Sequence, residues 1–460
     1  MAILLPSYWV ALMDNSTLRE MIPFHNKGSK KRVVHEDIQP IICSEKMSFT
    51  CPRTSNDSSK FKRKTLNPES CPDYFTWIHE DLKPWKSTGI TQNMLKKAIN
   101  IAHFRLVIVN GKAYVEKYKQ PYQTRDVVTL WGILQLMKMY SGKLPDLDLM
   151  FQCGDKTVVK KKEYQVIKGN IDPIPPPIFH YCGDDLSFDI VFPDWTFWGW
   201  SETFIRPWDS TIKELKDAND KMKWVERKPY AFYKGNLFNG HRDDLAKCNS
   251  TKDWNAQIYN MNWDLEMKEG FKDAKMAKQC MHKYKIYMEG NAWSVSRKYI
   301  MACNSMSLVV NPEFYDFFSR SLIPFKHYWP IDAQHVCKSI KFAVDWGNNH
   351  SNEAKEIGKE GSKFIQEKVK MKHVYDYMYH LLIEYAKLLK YKPSVPKGAL
   401  ELCSKSFVCP TNDTIHIEES YKLETLVNDE AQEEPCSILP SYDSQKLVER
   451  NHNIFKQILL

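Results

Sequence analysis

Residues 282–310, HKYKIYMEGNAWSVSRKYIMACNSMSLVV, decide the fold. Lys283–Glu289 alternates polar and apolar side chains with period two, as a strand does. Gly290, Asn291, Ala292 and Trp293 make a loop. Ser294 stands at the N-cap of a helix predicted over Val295–Cys303, and Ser307–Val310 is the next strand. Strand, glycine loop, helix and strand form a Rossmann-like unit whose loop and helix N-terminus present backbone amides to a diphosphate. The G-x-G-x-x-G fingerprint is missing, which argues against a nicotinamide or flavin cofactor. Helix-like segments at Glu313–Ser319 and Ala333–Trp346 continue the α/β order.

Upstream, Tyr230–Lys234 reads as a strand running into Gly235 and Asn236, with Arg242 close behind. An earlier α/β set precedes Trp208. Leu106–Tyr118 is a hairpin around Asn110-Gly111, the preferred type I′ pair. Val127, Leu130, Trp131, Leu134 and Met137 recur at helical spacing, and Gly142 ends that helix. Leu147–Phe151 alternates as a strand and leads to Gly154 and Asp155. Ligands gather at the carboxyl ends of strands in open α/β sheets, so Asp155 is a candidate general base, with a surface-turn aspartate as the plain alternative. Pro173–Pro177 breaks regular structure before a strand-like Asp189–Phe192.

Between the two sets lies FPDWTFWGWSETFIRPW, residues 192–208, with Trp195, Trp198, Trp200 and Trp208 beside Asp194 and Arg206. Its spacing fits neither helix nor strand. Aromatic faces beside charged groups suit sugar or peptide binding, and equally suit a plug between domains.

With 460 residues, two to three domains are expected, and 43% hydrophobic with 26% charged residues describes a globular chain. The net charge of +9 gathers at Lys30–Arg32, Lys60–Lys64 and Lys160–Lys162 without a nucleic-acid motif, and its sign suits a phosphate-bearing ligand. The 12 cysteines include no C-x-x-C pair or zinc spacing, and sequons at Asn15, Asn56, Asn249, Asn349 and Asn412 lean toward an oxidising lumen. Apolar Ile3–Met13 is too short to span a bilayer, so either the chain is cytosolic or an anchor precedes it. Asp146/Asp148 and Asp184/Asp185 could suggest a divalent cation, but they sit in a strand and a turn and read as ordinary acidic residues. His79, His282 and His327 complete no Ser-His-Asp set and read as structural.

The order of CPDYFTWIHEDLKPW (71–85), TRDVVTLWGILQL (124–136), LPDLDLMF (144–151), FPDWTFWGW (192–200), YKGN (233–236), the 282–305 stretch and FYDFFSRSLIPFKHYWPI (314–331) resembles the Rumi-like protein O-glucosyltransferases, glycosyltransferase family 90, most nearly the plant branch. The resemblance implies a GT-B fold, two Rossmann-like domains facing each other across a cleft. It implies an inverting, metal-independent transfer of glucose or xylose from a UDP-sugar, with no cofactor, to a polysaccharide or glycoprotein hydroxyl. Asp155 takes the family's general-base position. UDP-sugar contacts fall on Lys234, Gly235, Asn236 and Arg242, and on Gly290, Asn291, Ala292, Trp293, Ser294, Ser296 and Arg297. Asp194, Trp195, Trp198 and Trp200 are placed in the acceptor and sugar pocket.

The chain departs from the family at several points. Animal members carry a diphosphate-binding arginine where Ser296 stands, with Arg297 one position on and turned by about 100° on a helix. Gln152 and Gly154 replace acidic residues usual in the plant branch. These departures leave a carbohydrate- or peptide-binding pseudoenzyme as the rival reading. The expected organisation is a polar stem (1–65), an acceptor domain (66–205), a UDP-sugar domain (206–346), helices packing back (347–392) and an irregular cysteine-containing tail (393–460). The implied compartment is the Golgi or ER lumen, with any membrane contact through an N-terminal anchor.

Overall fold

The computed structural model describes residues 69–164, 174–238, 240, 242–271, 276–403, 417–441, 443 and 449. The stem, Asn15, Asn56, Asn412, Cys43, Cys51 and Cys409 lie outside them.

Strands β1 (Phe104–Val109) and β2 (Lys112–Lys117) form the expected hairpin. Asn110 and Gly111 turn it with φ of 51° and 74°, values an Asn-Gly pair tolerates. β3 (Leu147–Phe151) is buried throughout and runs antiparallel to β1. β4 (Phe179–His180) pairs parallel with β3. Beyond β5 (Gly183–Asp184), strand β6 (Ile190–Val191) pairs parallel with β4. The helix Arg125–Met139 is apolar on most faces and buried. This first half was expected to be Rossmann-like, but its sheet is mixed. An antiparallel hairpin occupies one side, because the two-residue Asn-Gly turn leaves no room for a crossover helix.

The second half meets the expectation more closely. β7 (Lys228–Gly235), β8 (Ala256–Asn260), β9 (His282–Tyr287) and β10 (Met306–Val310) are joined, past β11 (Phe314–Tyr315), by β12 (Trp329–Ile331). All pairings in the order β12-β10-β9-β7-β8 are parallel. The chain leaves β7 outward to β8 and returns to β9, so the order reverses between β7 and β9. Open sheets bind ligands at the carboxyl ends of such a reversal. The helix predicted from Val295 spans Ser296–Met301, and Ser294 Oγ accepts a bond from the Ser296 amide at 3.4 Å.

Glu313–Ser319 is not a helix. The Glu289 carboxylate accepts the Glu313 and Phe314 amides, and Asp316 Oδ1 accepts those of Phe318 and Ser319, so these donors are withdrawn from a helical ladder. Phe314 and Tyr315 instead pair as β11 with β5, tying second half to first.

The expected late helices span Ser351–Lys368 and Met371–Ala386, and the second packs on the first half, where Tyr385 donates to the Asp148 carbonyl at 3.0 Å. The tail is more ordered than its composition suggested. It supplies β13 (Leu400–Leu402) beside β2, the helix Ile417–Glu424, and Cys436, which bonds Cys71 across 365 residues. Cys248–Cys337 and Cys280–Cys303 are the other disulfides among the described residues.

Candidate active site

Asp155 follows β3 and is partly exposed, its side chain 43% accessible. Arg125, the first residue of the helix Arg125–Met139, donates from Nη1 to Asp155 Oδ1 at 2.9 Å and to the Cys153 carbonyl at 3.1 Å. The arginine is buried, and its guanidinium lies 4.3 Å over the Trp195 ring and 5.3 Å from that of Tyr122. The aspartate is therefore a held group at the carboxyl end of a strand, beyond what a surface turn requires. Sequence reasoning missed Arg125. Its signal was a cation opening the helix that precedes the carboxylate-bearing strand.

The tryptophan stretch divides by direction. Trp195 packs on Tyr181 and Trp200 beside Arg125. Trp200 donates to Gln123 Oε1 at 2.9 Å, and Glu202 Oε1 accepts both the amide and the hydroxyl of Thr124. This side of the stretch clamps residues 123–125, where Arg125 begins its helix. Trp198 belongs to the core, contrary to its pocket assignment: a Cβ on Gly132 would lie 2.5 Å from its ring, and its indole donates to the Tyr375 hydroxyl at 2.9 Å. Trp208 likewise donates inward, to the Val369 carbonyl. Asp194 also faces away from any open pocket, because its carboxylate meets Lys298 Nζ at 3.3 Å and the Thr196 hydroxyl. Buried polar groups take such partners because an unpaired charge there costs several kcal/mol.

On the opposite side, the glycine loop approaches this cluster through Trp293. Its ring centroid lies 6.2 Å from His180, 6.0 Å from Tyr181 and 6.3 Å from Trp195. The buried indole nitrogens of Trp195 and Trp293 and His180 Nε2 have no hydrogen-bond partner among the described residues. Burial, the largest effect, holds the His180 imidazole below its ordinary value and so neutral. Buried polar groups left unpaired where the two halves meet are suited to a hydroxyl-rich ligand.

The loop itself is braced at the strand-order reversal. Arg242 donates to the carbonyls of Asn236, Met288 and Glu289 at 3.2, 3.0 and 2.9 Å, so its guanidinium joins the ends of β7 and β9. Gly240, at φ 64°, admits no side chain, since a Cβ would come within 2.2 Å of the Gly290 carbonyl oxygen. Lys234 ends β7 beside Gly235 in an ion pair with Glu266. Ser294 and Ser296 share a hydroxyl bond of 2.8 Å. Asn291 is exposed and Ala292 buried.

Arg297 points away from Ser296. Its guanidinium covers the Tyr287 ring at 4.3 Å and approaches Asp316 and Glu289 to 3.7 and 3.8 Å. The Glu289 carboxyl is pushed up to about 7, chiefly by burial, with Arg297 opposing. Arg297 also lines a cleft of about 780 Å³ between the halves, with Phe188 and Asp189 from the first and Phe314 and Tyr328 from the second.

Asp155, held through one oxygen by Arg125, follows β3, and the braced Gly290 loop follows β9 at the order reversal of the parallel sheet, both at carboxyl ends of strands where open α/β sheets gather ligands; the family comparison says what class of protein this is. The chain belongs to glycosyl transferase family 90, whose model matches residues 66–459. It is a glycosyltransferase. Among its relatives, the O-glucosyltransferase rumi of Drosophila melanogaster is 24% identical over 372 residues, 76% of this chain and 86% of that protein. Protein O-glucosyltransferase 1 of Homo sapiens is 25% identical over 356 residues, 73% and 86% of the two chains. An O-glucosyltransferase rumi homolog of Aedes aegypti is 26% identical over 344 residues, 70% and 80%.

Proposed function

We propose that the protein is an inverting, metal-independent O-glycosyltransferase of GT-B type that moves glucose or xylose from a UDP-sugar to an acceptor hydroxyl. The observation that carries this reading is Asp155 held by buried Arg125 beside the Trp195–Trp293 junction. Asp155 takes the hydroxyl proton as that oxygen bonds the anomeric carbon, and the bond to UDP breaks on the opposite face. The loop from Gly290 to Ser296 and Lys234 receive the leaving diphosphate through backbone donors and fixed charge. Trp195, Trp200 and Trp293 bound the sugar and acceptor pocket.

A polysaccharide or glycoprotein acceptor in the Golgi or ER lumen agrees with three disulfides among the described residues and with exposed sequons at Asn249 and Asn349. Among the described residues no helix is long and apolar enough to cross a membrane.

Release of UDP from UDP-glucose and UDP-xylose by wild type and Asp155→Asn tests the reading. Turnover that persists in the variant sinks the general base, and turnover abolished by a chelator sinks metal independence. The cations at the donor loop are already paired, Arg242 with carbonyls and Lys234 with Glu266, which favours one rival: a UDP-sugar binder without turnover. UDP binding with no release in either protein supports that rival.

A further inference from the structure

We propose that Arg125 is the positioning residue of the transfer reaction, holding the Asp155 carboxylate oriented, and that the tryptophan stretch exists in part to hold Arg125. This rests on Asp155 being the general base.

The bond from Arg125 is one-sided. Nη1 donates to Oδ1, and among the described residues no hydrogen bond reaches Oδ2, which keeps one oxygen for the incoming proton. The guanidinium has no room to wander, since it is 6% exposed, stacked on Trp195 and bonded to the Cys153 carbonyl on the strand's own exit loop. One side chain thus fixes both the carboxylate and the backbone that presents it. Around it, Trp200 secures Gln123, Glu202 secures Thr124, and the Thr129 hydroxyl donates to the Arg125 carbonyl at 2.7 Å. Gln123 sits at φ 57°, a left-handed backbone that these bonds maintain. An arginine placed only for stability would not need four aromatic and polar clamps directed at its first helical turn. A planar guanidinium both stacks and donates along a fixed direction, which an ammonium cannot do.

The test uses the full chain and UDP-glucose, reading UDP release to water. Arg125→Ala is expected to lower kcat about 100-fold, with KM and the Kd for UDP within about threefold of wild type. Added guanidinium should restore at least about tenfold of that loss, and should restore nothing in Asp155→Asn. Retained kcat in Arg125→Ala, or a loss that follows UDP affinity and melting temperature and ignores guanidinium, overturns the proposal. Should Arg125→Ala not fold, Arg125→Lys decides: a kcat fall under about threefold overturns it, and a larger fall at unchanged UDP affinity supports it. Full turnover in Asp155→Asn would instead remove the general-base reading, whereas an inactive Asp155→Asn beside an unimpaired Arg125→Ala removes only the positioning role.

Discussion

Lys298 Nζ lies 3.3 Å from both oxygens of Asp194, an ion pair 1% and 4% exposed that joins the glycine-loop helix to the tryptophan stretch. Lys298 also donates to the Thr196 hydroxyl at 2.6 Å and sits 4.4 Å from the Phe197 ring. Glycine-loop helix and tryptophan stretch are thereby tied to each other by a buried charge pair, beside the Trp293–Trp195 and Tyr299–Trp208 ring contacts.

Breaking that pair from one side strands a charge. Asp194→Asn or Lys298→Met should each cost about 3–5 kcal/mol of stability, and the double change to Leu and Met should recover most of it. Denaturant melts of the four proteins check this, and additive losses would refute it.

The tryptophans should separate function from folding. Trp198→Ala empties core space beside Gly132 and should cost about 3–5 kcal/mol, while the protein that remains folded keeps its kcat. Trp195→Leu removes the surface under Arg125 and should lower kcat with a smaller change in melting temperature. The reverse pattern, read by UDP release and thermal melts, would contradict the division of the stretch.

Because Arg297 is turned toward Tyr287 and Asp316, the side chain that could supply loop charge is the one at position 296. Ser296→Arg should tighten UDP binding about tenfold, the effect of one charge-assisted bond, measured by calorimetry. Unchanged or weaker affinity would place the diphosphate elsewhere.

The Glu289 carboxyl is raised from 4.5 to about 7, so the folded protein holds a proton that the unfolded chain has released between these values. Its contribution to stability is therefore fully present below about 4.5 and lost as pH rises through about 7. Glu289→Gln should flatten that fall by about 2–3 kcal/mol between pH 5 and 7.5, read from urea midpoints.

Lys285 is fully buried beside Cys303 Sγ at 3.6 Å and Gln279 Oε1 at 3.4 Å, with Arg227 as a like-charged neighbour. Burial lowers its ammonium from 10.5 to about 7, so stability present above 10.5 is lost as pH falls toward 7. Lys285→Met should stabilise by about 1–3 kcal/mol at pH 7 and by less at pH 10. Thermal melts at the two values decide it.

The hairpin at Asn110-Gly111, the strand ending before Asp155 and the β9–loop–helix–β10 unit were legible because each is written in local periodicity and turn chemistry. Glu313–Ser319 misled for the same reason. Its pattern is helical, but the carboxylates of Glu289 and Asp316 take its amides. The mixed first sheet was also hidden, since the direction of β1 against β3 is set by pairing between strands, not by either strand's sequence.

The sequence by itself determined the α/β class, the order of the motifs and the residue types available for transfer chemistry, because side-chain period and turn residues act over a few positions. Tertiary structure alone decided which of them face the site. Arg125 reaches Asp155 across 30 residues, Trp198 turns to Tyr375 across 177, and Lys298 finds Asp194 across 104. A charge or ring takes its direction from the partner that relieves its burial, and those partners come from parts of the chain that no local pattern connects.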